Sequence, residues 1–219
     1  MALNAGDIAF VGINTAGGPD DWVAFTTLAD IPAGTVIYFS DNEISPATAA
    51  AFNTGESYSK WTAPVGGVAA GTVITLTNFD IAGGPVANIG SAAAVTFSGS
   101  ANRGFSQTAD AVYAYLAASD ATVDTPTTHL ARISLGNAED GTKPTSLPDG
   151  SNIVFTSGQE GALYSGPHTG LQLSPITVQP STILPTGHLS QVLRSLGRST
   201  SQISSRLRLS WKHPYPSLM

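Results

Sequence analysis

The chain of 219 residues has no cysteine. A disulfide framework and a thiolate metal site are therefore both excluded. Charge is sparse as well: only 11% of residues are Asp, Glu, Lys or Arg, against about 25% in an average soluble domain. No run approaches the 18 or more apolar residues of a membrane span. The opening MALNAGDIAF carries no basic region and no hydrophobic stretch of signal length, so no N-terminal signal peptide is visible. No Gly-x-Ser-x-Gly elbow, no His-Glu-x-x-His and no Gly-rich phosphate loop ending in Lys-Ser/Thr occurs. The four histidines, His129, His168, His188 and His213, share no metal-ligand spacing.

Acidic residues are missing from the last part of the chain. All 15 stand before residue 176, together with four of the nine basic side chains, a formal charge of −11. Residues 176–219 hold the other five basic side chains, a charge of +5. This division predicts an acidic β-rich domain over 1–175 and a basic Ser/Arg-rich tail over 176–219, disordered or loosely docked. Leu189, Val192, Leu193 and Leu196 have helical spacing in that tail, but over two turns only. The negative field of the domain opposes specific nucleic-acid binding.

What the chain does contain is short β-branched and aromatic segments separated by Gly, Pro, Asp and Asn. Strands are expected over 8–13, 22–28, 35–40, 72–77, 93–98, 111–116, 129–133 and 153–156. No strand precedes a long segment of 3.6-residue periodicity, which disfavours a doubly wound sheet. The fold class is all-β, an antiparallel two-sheet sandwich, with a partly open β-barrel as the alternative. Ser45–Asn53, with Pro46 at a first-turn position, reads as one short helix. Ala33-Gly34-Thr35-Val36-Ile37 returns 37 residues later as Ala70-Gly71-Thr72-Val73-Ile74, which predicts two equivalent entries into strands.

The best oxygen-ligand set is Asp20, Asp21, Asp41 and Glu43, with Asp80 near it in the pattern. Asp20 and Asp21 occupy a Gly-Gly-Pro turn, and Asp41-Asn42-Glu43 closes the third strand. If strands two and three pair, their ends bring these acids together as ligands for calcium, a cation that takes six to eight oxygens. The spacing matches neither an EF-hand nor an RTX nonapeptide. The other reading is solvated loop acids, with Asp41-Asn42 forming a side-chain-capped turn. Glu139-Asp140-Gly141 is a tight acidic turn, and Asp120 and Asp124 flank a Thr-rich loop. Tyr113 and Tyr115 share one face of a strand, opposite Val112 and Ala114. That pair either packs or stacks on sugar rings.

Several segments together resemble a known domain family. They are GDIAFVGIN at 6–14, WVAFTTLADIPAGTVIYFSDNE at 22–43, KWTAPVGGVAAGTVITLTN at 60–78, GFSQTADAVYAYLA at 104–117 and ALYSGPHTG at 162–170. The chain is similar to a β-rich accessory domain of large secreted or surface-associated bacterial proteins, notably cyanobacterial ones, often associated with RTX calcium-binding repeats. The resemblance implies an extracellular or cell-surface setting and no catalytic residues. It implies structural roles for the strand-end pair Asp41 and Asn42 and for Trp61, with a metal role for Asp41 open. It stops near Gly170, where acids vanish and Ser and Arg rise. The first reading is thus a non-enzymatic structural, adhesion or interaction module, calcium-stabilised through Asp20, Asp21, Asp41 and Glu43, with protein or surface polysaccharide as partner. The alternative is a phosphoesterase or glycan-directed hydrolase, or its substrate-binding appendage.

Overall fold

The computed structural model describes residues 2–15, 21–44, 51–100, 102–106, 109–136, 147, 152–154 and 161–163. The chain divides into two units, Met1–Thr182 and Ile183–Met219, and every described residue belongs to the first. The expected tail, including Leu189–Leu196, lies outside the described residues.

Eleven strands are described: β1 (Ile8–Asn14), β2 (Trp22–Thr27), β3 (Val36–Ser40), β4 (Tyr58–Thr62), β5 (Val73–Thr77), β6 (Val86–Ala87), β7 (Ser91–Val95), β8 (Ala109–Leu116), β9 (Thr128–Gly136), β10 (Asn152–Val154) and β11 (Gly161–Leu163). They form two sheets. One has five strands in the order β11-β1-β2-β5-β6, and the other six in the order β10-β9-β8-β3-β4-β7. All pairings are antiparallel except β10 with β9. The all-β sandwich is therefore the fold, and the sheets do not close into a barrel. One 3-10 turn, Asp120–Thr122, follows β8.

The 37-residue echo has a structural meaning. The chain crosses from the five-stranded to the six-stranded sheet between β2 and β3, and crosses back between β4 and β5. Since β2 pairs with β5 and β3 with β4, the two crossings interlock. Ile31 and Val68, themselves 37 residues apart, exchange both backbone hydrogen bonds at 2.8 Å. The flanking bonds repeat the relation. Gly71 N–H donates to Thr27 O (2.7 Å) and Thr27 N–H to Thr72 O (3.0 Å), while Gly34 N–H donates to Ala63 O (3.2 Å) and Ala63 N–H to Thr35 O (2.9 Å). Gly34 and Gly71 both adopt positive φ, +71° and +84°, the left-handed conformation that glycine takes at no steric cost. Each is the hinge from which a Thr-Val-Ile strand leaves. The repeat is thus a local pseudo-two-fold pair of arches.

Strand periodicity sorts the core. From the five-stranded sheet Ile8, Phe10, Ile13, Val23, Phe25, Ile74 and Leu76 point inward; from the six-stranded sheet Ile37, Phe39, Trp61, Val112, Ala114, Leu130 and Ile133 meet them. Phe25 packs at 5.6 Å from both the Phe39 and the Trp61 ring, the latter edge-on, a favoured aromatic geometry. Trp61 is wholly buried and its Nε1–H donates to Ile89 O at 2.6 Å. The other face of the six-stranded sheet carries a second cluster. Tyr38, Tyr58, Tyr113 and Tyr115 lie beneath Ile44, Phe52 and Val123. Phe52 alone meets the rings of Tyr58, Tyr113, Tyr115 and His129 at 4.8–6.3 Å.

This second core decides two expectations. Tyr113 and Tyr115 do share one face, but both are fully buried, so they pack and cannot stack on a sugar. Of the expected helix at Ser45–Asn53, positions 45–50 lie outside the described residues. Ala51–Asn53 is not helical, and Phe52 forms an antiparallel bridge with Ile44.

Candidate functional site

The arches close one end of the sandwich, so the opposite end collects the starts of β2, β4 and β8 and the ends of β3 and β5. Asp21 precedes β2, Asp41 follows β3, Glu56 precedes β4, Asp80 follows β5, and Asp110 is the second residue of β8. Topology therefore brings acids from both sheets to one end, although β2 and β3 do not pair as expected: they lie in different sheets, and Asp21 and Asp41 come to the same end across the sandwich.

Once there, they contact backbone. Asp21 is buried, and its Oδ2 accepts from Phe105 N–H at 2.6 Å. Its own carbonyl accepts from Phe79 N–H at 3.2 Å. Asp110, also buried, accepts from Ser106 N–H through Oδ2 and from Ala111 N–H through Oδ1, both at 2.6 Å. Two consecutive amides of the loop 102–106 are thus held by carboxylates from opposite sheets. Charge-assisted bonds of this kind are roughly twice as strong as neutral ones. Gly104 immediately precedes these two amides, with φ +91°. A Cβ there would come 2.8 Å from Asp21 Oδ2 and 2.9 Å from Asp80 Cβ.

Asp41 anchors the β3–β4 side. Its Oδ1 accepts from Ser57 N–H at 3.2 Å and Ser57 Oγ–H at 3.3 Å. Burial pushes its pKa well above the usual carboxylate range, and the nearby charges of Asp110 and Glu56 push it the same way, against the backbone bonds that favour its ionised form. Asn42 completes the network. Its Nδ2 donates to Ser40 Oγ (3.0 Å) and Ser57 O (3.4 Å), and its Oδ1 accepts from Glu56 N–H (3.0 Å). Ser40 Oγ–H donates to Ser57 O at 3.0 Å. Asp41 and Asn42 are 3% and 1% exposed, so they are not solvated loop residues. Buried polar groups need partners, and here the turn backbone supplies them.

The four proposed ligands are thus placed as follows. Asp20 lies outside the described residues. Asp21 attaches to the Phe105 loop beside Asp80. Asp41 attaches to Ser57, with Asp110 and Glu56 as its charged neighbours. Glu43 is half-buried; its carbonyl accepts from Asn53 N–H at 2.8 Å, and its charge raises the pKa of the Tyr113 phenol, for which burial is the larger cause. Among the described residues, no three His, Cys, Asp or Glu are disposed to hold a metal ion.

The other acids have ordinary roles. Asp120 pairs with Lys60 at 2.5 Å and accepts from Tyr38 OH at 2.9 Å. The Lys60 bond lowers its pKa, while burial and then Asp120 push the Tyr38 phenol up to about 12. Asp124 Oδ1 accepts from Thr125 Oγ1–H. His129 is buried in the second aromatic core. Glu139–Thr142 and the other three histidines lie outside the described residues.

Asp110 and Glu56 were missed in the sequence. Asp110 did carry a signal: in period two it shares the inward face of β8 with Val112 and Ala114, an unusual place for an acid. Glu56 carried none. No family model, curated protein or solved structure matches the chain.

Proposed function

We propose that this domain is a non-enzymatic structural, adhesion or interaction module of an extracellular or cell-surface protein. The observation that carries the reading is the use to which the acidic end puts its polar side chains. Asp21, Asp41, Asn42 and Asp110 are buried, and each accepts a hydrogen bond from loop backbone. A catalytic carboxylate must reach a substrate proton or a bound water; these instead fix the loops they support. Such rigidity suits a display surface, because loops ordered in advance lose less entropy on binding. What the loops display is Asn53, Thr54, Ser98, Asn102, Arg103 and Ser106, all exposed and mostly uncharged. That chemistry suits a polar partner, a protein or a neutral surface polysaccharide. What supports the extracellular setting is the resemblance of 6–14, 22–43 and 60–78 to secreted accessory domains.

The test compares binding with turnover. The purified protein is assayed for retention on surface polysaccharides and surface proteins of bacterial cells. In parallel it is incubated with phosphomonoester, phosphodiester and glycoside substrates, with and without calcium. The reading expects retention that falls when Asn53, Asn102 and Arg103 are changed to Ala, and no turnover. Hydrolysis that disappears in Asp21→Asn or Asp41→Asn would replace it with the hydrolase reading.

A further inference from the structure

We draw no further inference here: the strongest candidate, the carboxylate cluster of Asp41, Glu56 and Asp110 at the loop end of the six-stranded sheet, belongs to the site already described, and no second observation in the described structure points to a ligand for it.

Discussion

Asp41 gives the sharpest test of the structural role assigned to the acidic end. Its pKa is raised in the folded protein, first by burial and then by Asp110 and Glu56. A raised folded pKa means that the native state holds this proton more tightly than the unfolded chain, where an Asp titrates near 3.9. The stabilisation is fully present below that value and is lost as pH rises through the folded pKa. Within that window one proton changes stability by at most about 1.4 kcal/mol per pH unit. Asp41→Asn keeps an oxygen acceptor for Ser57 and removes the titration. Its melting temperature should be at or above that of the native protein at pH 7–8, and its pH profile between 4 and 8 should be flatter. Asp41→Ala also removes the charge but takes away the acceptor of Ser57 N–H and Oγ–H. Leaving a buried donor unsatisfied costs about 1–3 kcal/mol, and each kcal/mol moves the melting point by about 2–4 °C in a chain of this size. The Ala variant should therefore melt about 2–12 °C below the Asn variant at every pH. Differential scanning calorimetry across pH 4–8 reads both effects. If Asp41→Asn melts well below the native protein at neutral pH, the ionised carboxylate itself is required and the capping account is wrong; if it keeps the native pH slope, that slope belongs to other groups and the titration assigned to Asp41 is wrong.

Gly104→Ala should lower stability by more than 1 kcal/mol, because it places a Cβ against Asp21 and Asp80 at positive φ; an unchanged urea midpoint would show that the loop 102–106 is not clamped as described. The calcium expectation predicts melts that differ by several degrees between millimolar calcium and a chelator, with Asp41→Ala erasing the difference; superimposable melts end it. Deleting residues 176–219 should leave a soluble domain with the same melting transition, because every described strand precedes residue 164; aggregation or loss of cooperative melting would place the tail within the fold.

Local pattern made much of the sandwich legible. The strands around Ile8, Trp22, Val36, Val73, Ala111 and Thr128 all have β-branched or aromatic residues in period two between Gly, Pro or Asp breaks, and each formed within a few residues of its expected bounds. The pattern also placed Tyr113 and Tyr115 on one face, because strand geometry alone dictates that. Where local preference was weak, the sequence was silent or shifted. β4, Tyr-Ser-Lys-Trp-Thr, lacks a β-branched body and is a strand because β3 and β7 flank it on both sides. β7 forms at Ser91–Val95 instead of 93–98 because its register is set by β4. β6 and β11 are too short to announce themselves. The spacing of 37 residues was visible, but that its two copies interlock through Ile31 and Val68 depends on which sheet each strand joins. The same holds for the acids. Sequence alone determined that Asp21 and Asp41 stand at strand ends. Only the two crossings between sheets decided that these ends lie together, that Asp110 joins Asp41, and that the buried carboxylates of Asp21, Asp41 and Asp110 accept from backbone amides, since a buried amide must find its acceptor in whatever side chain the fold brings beside it.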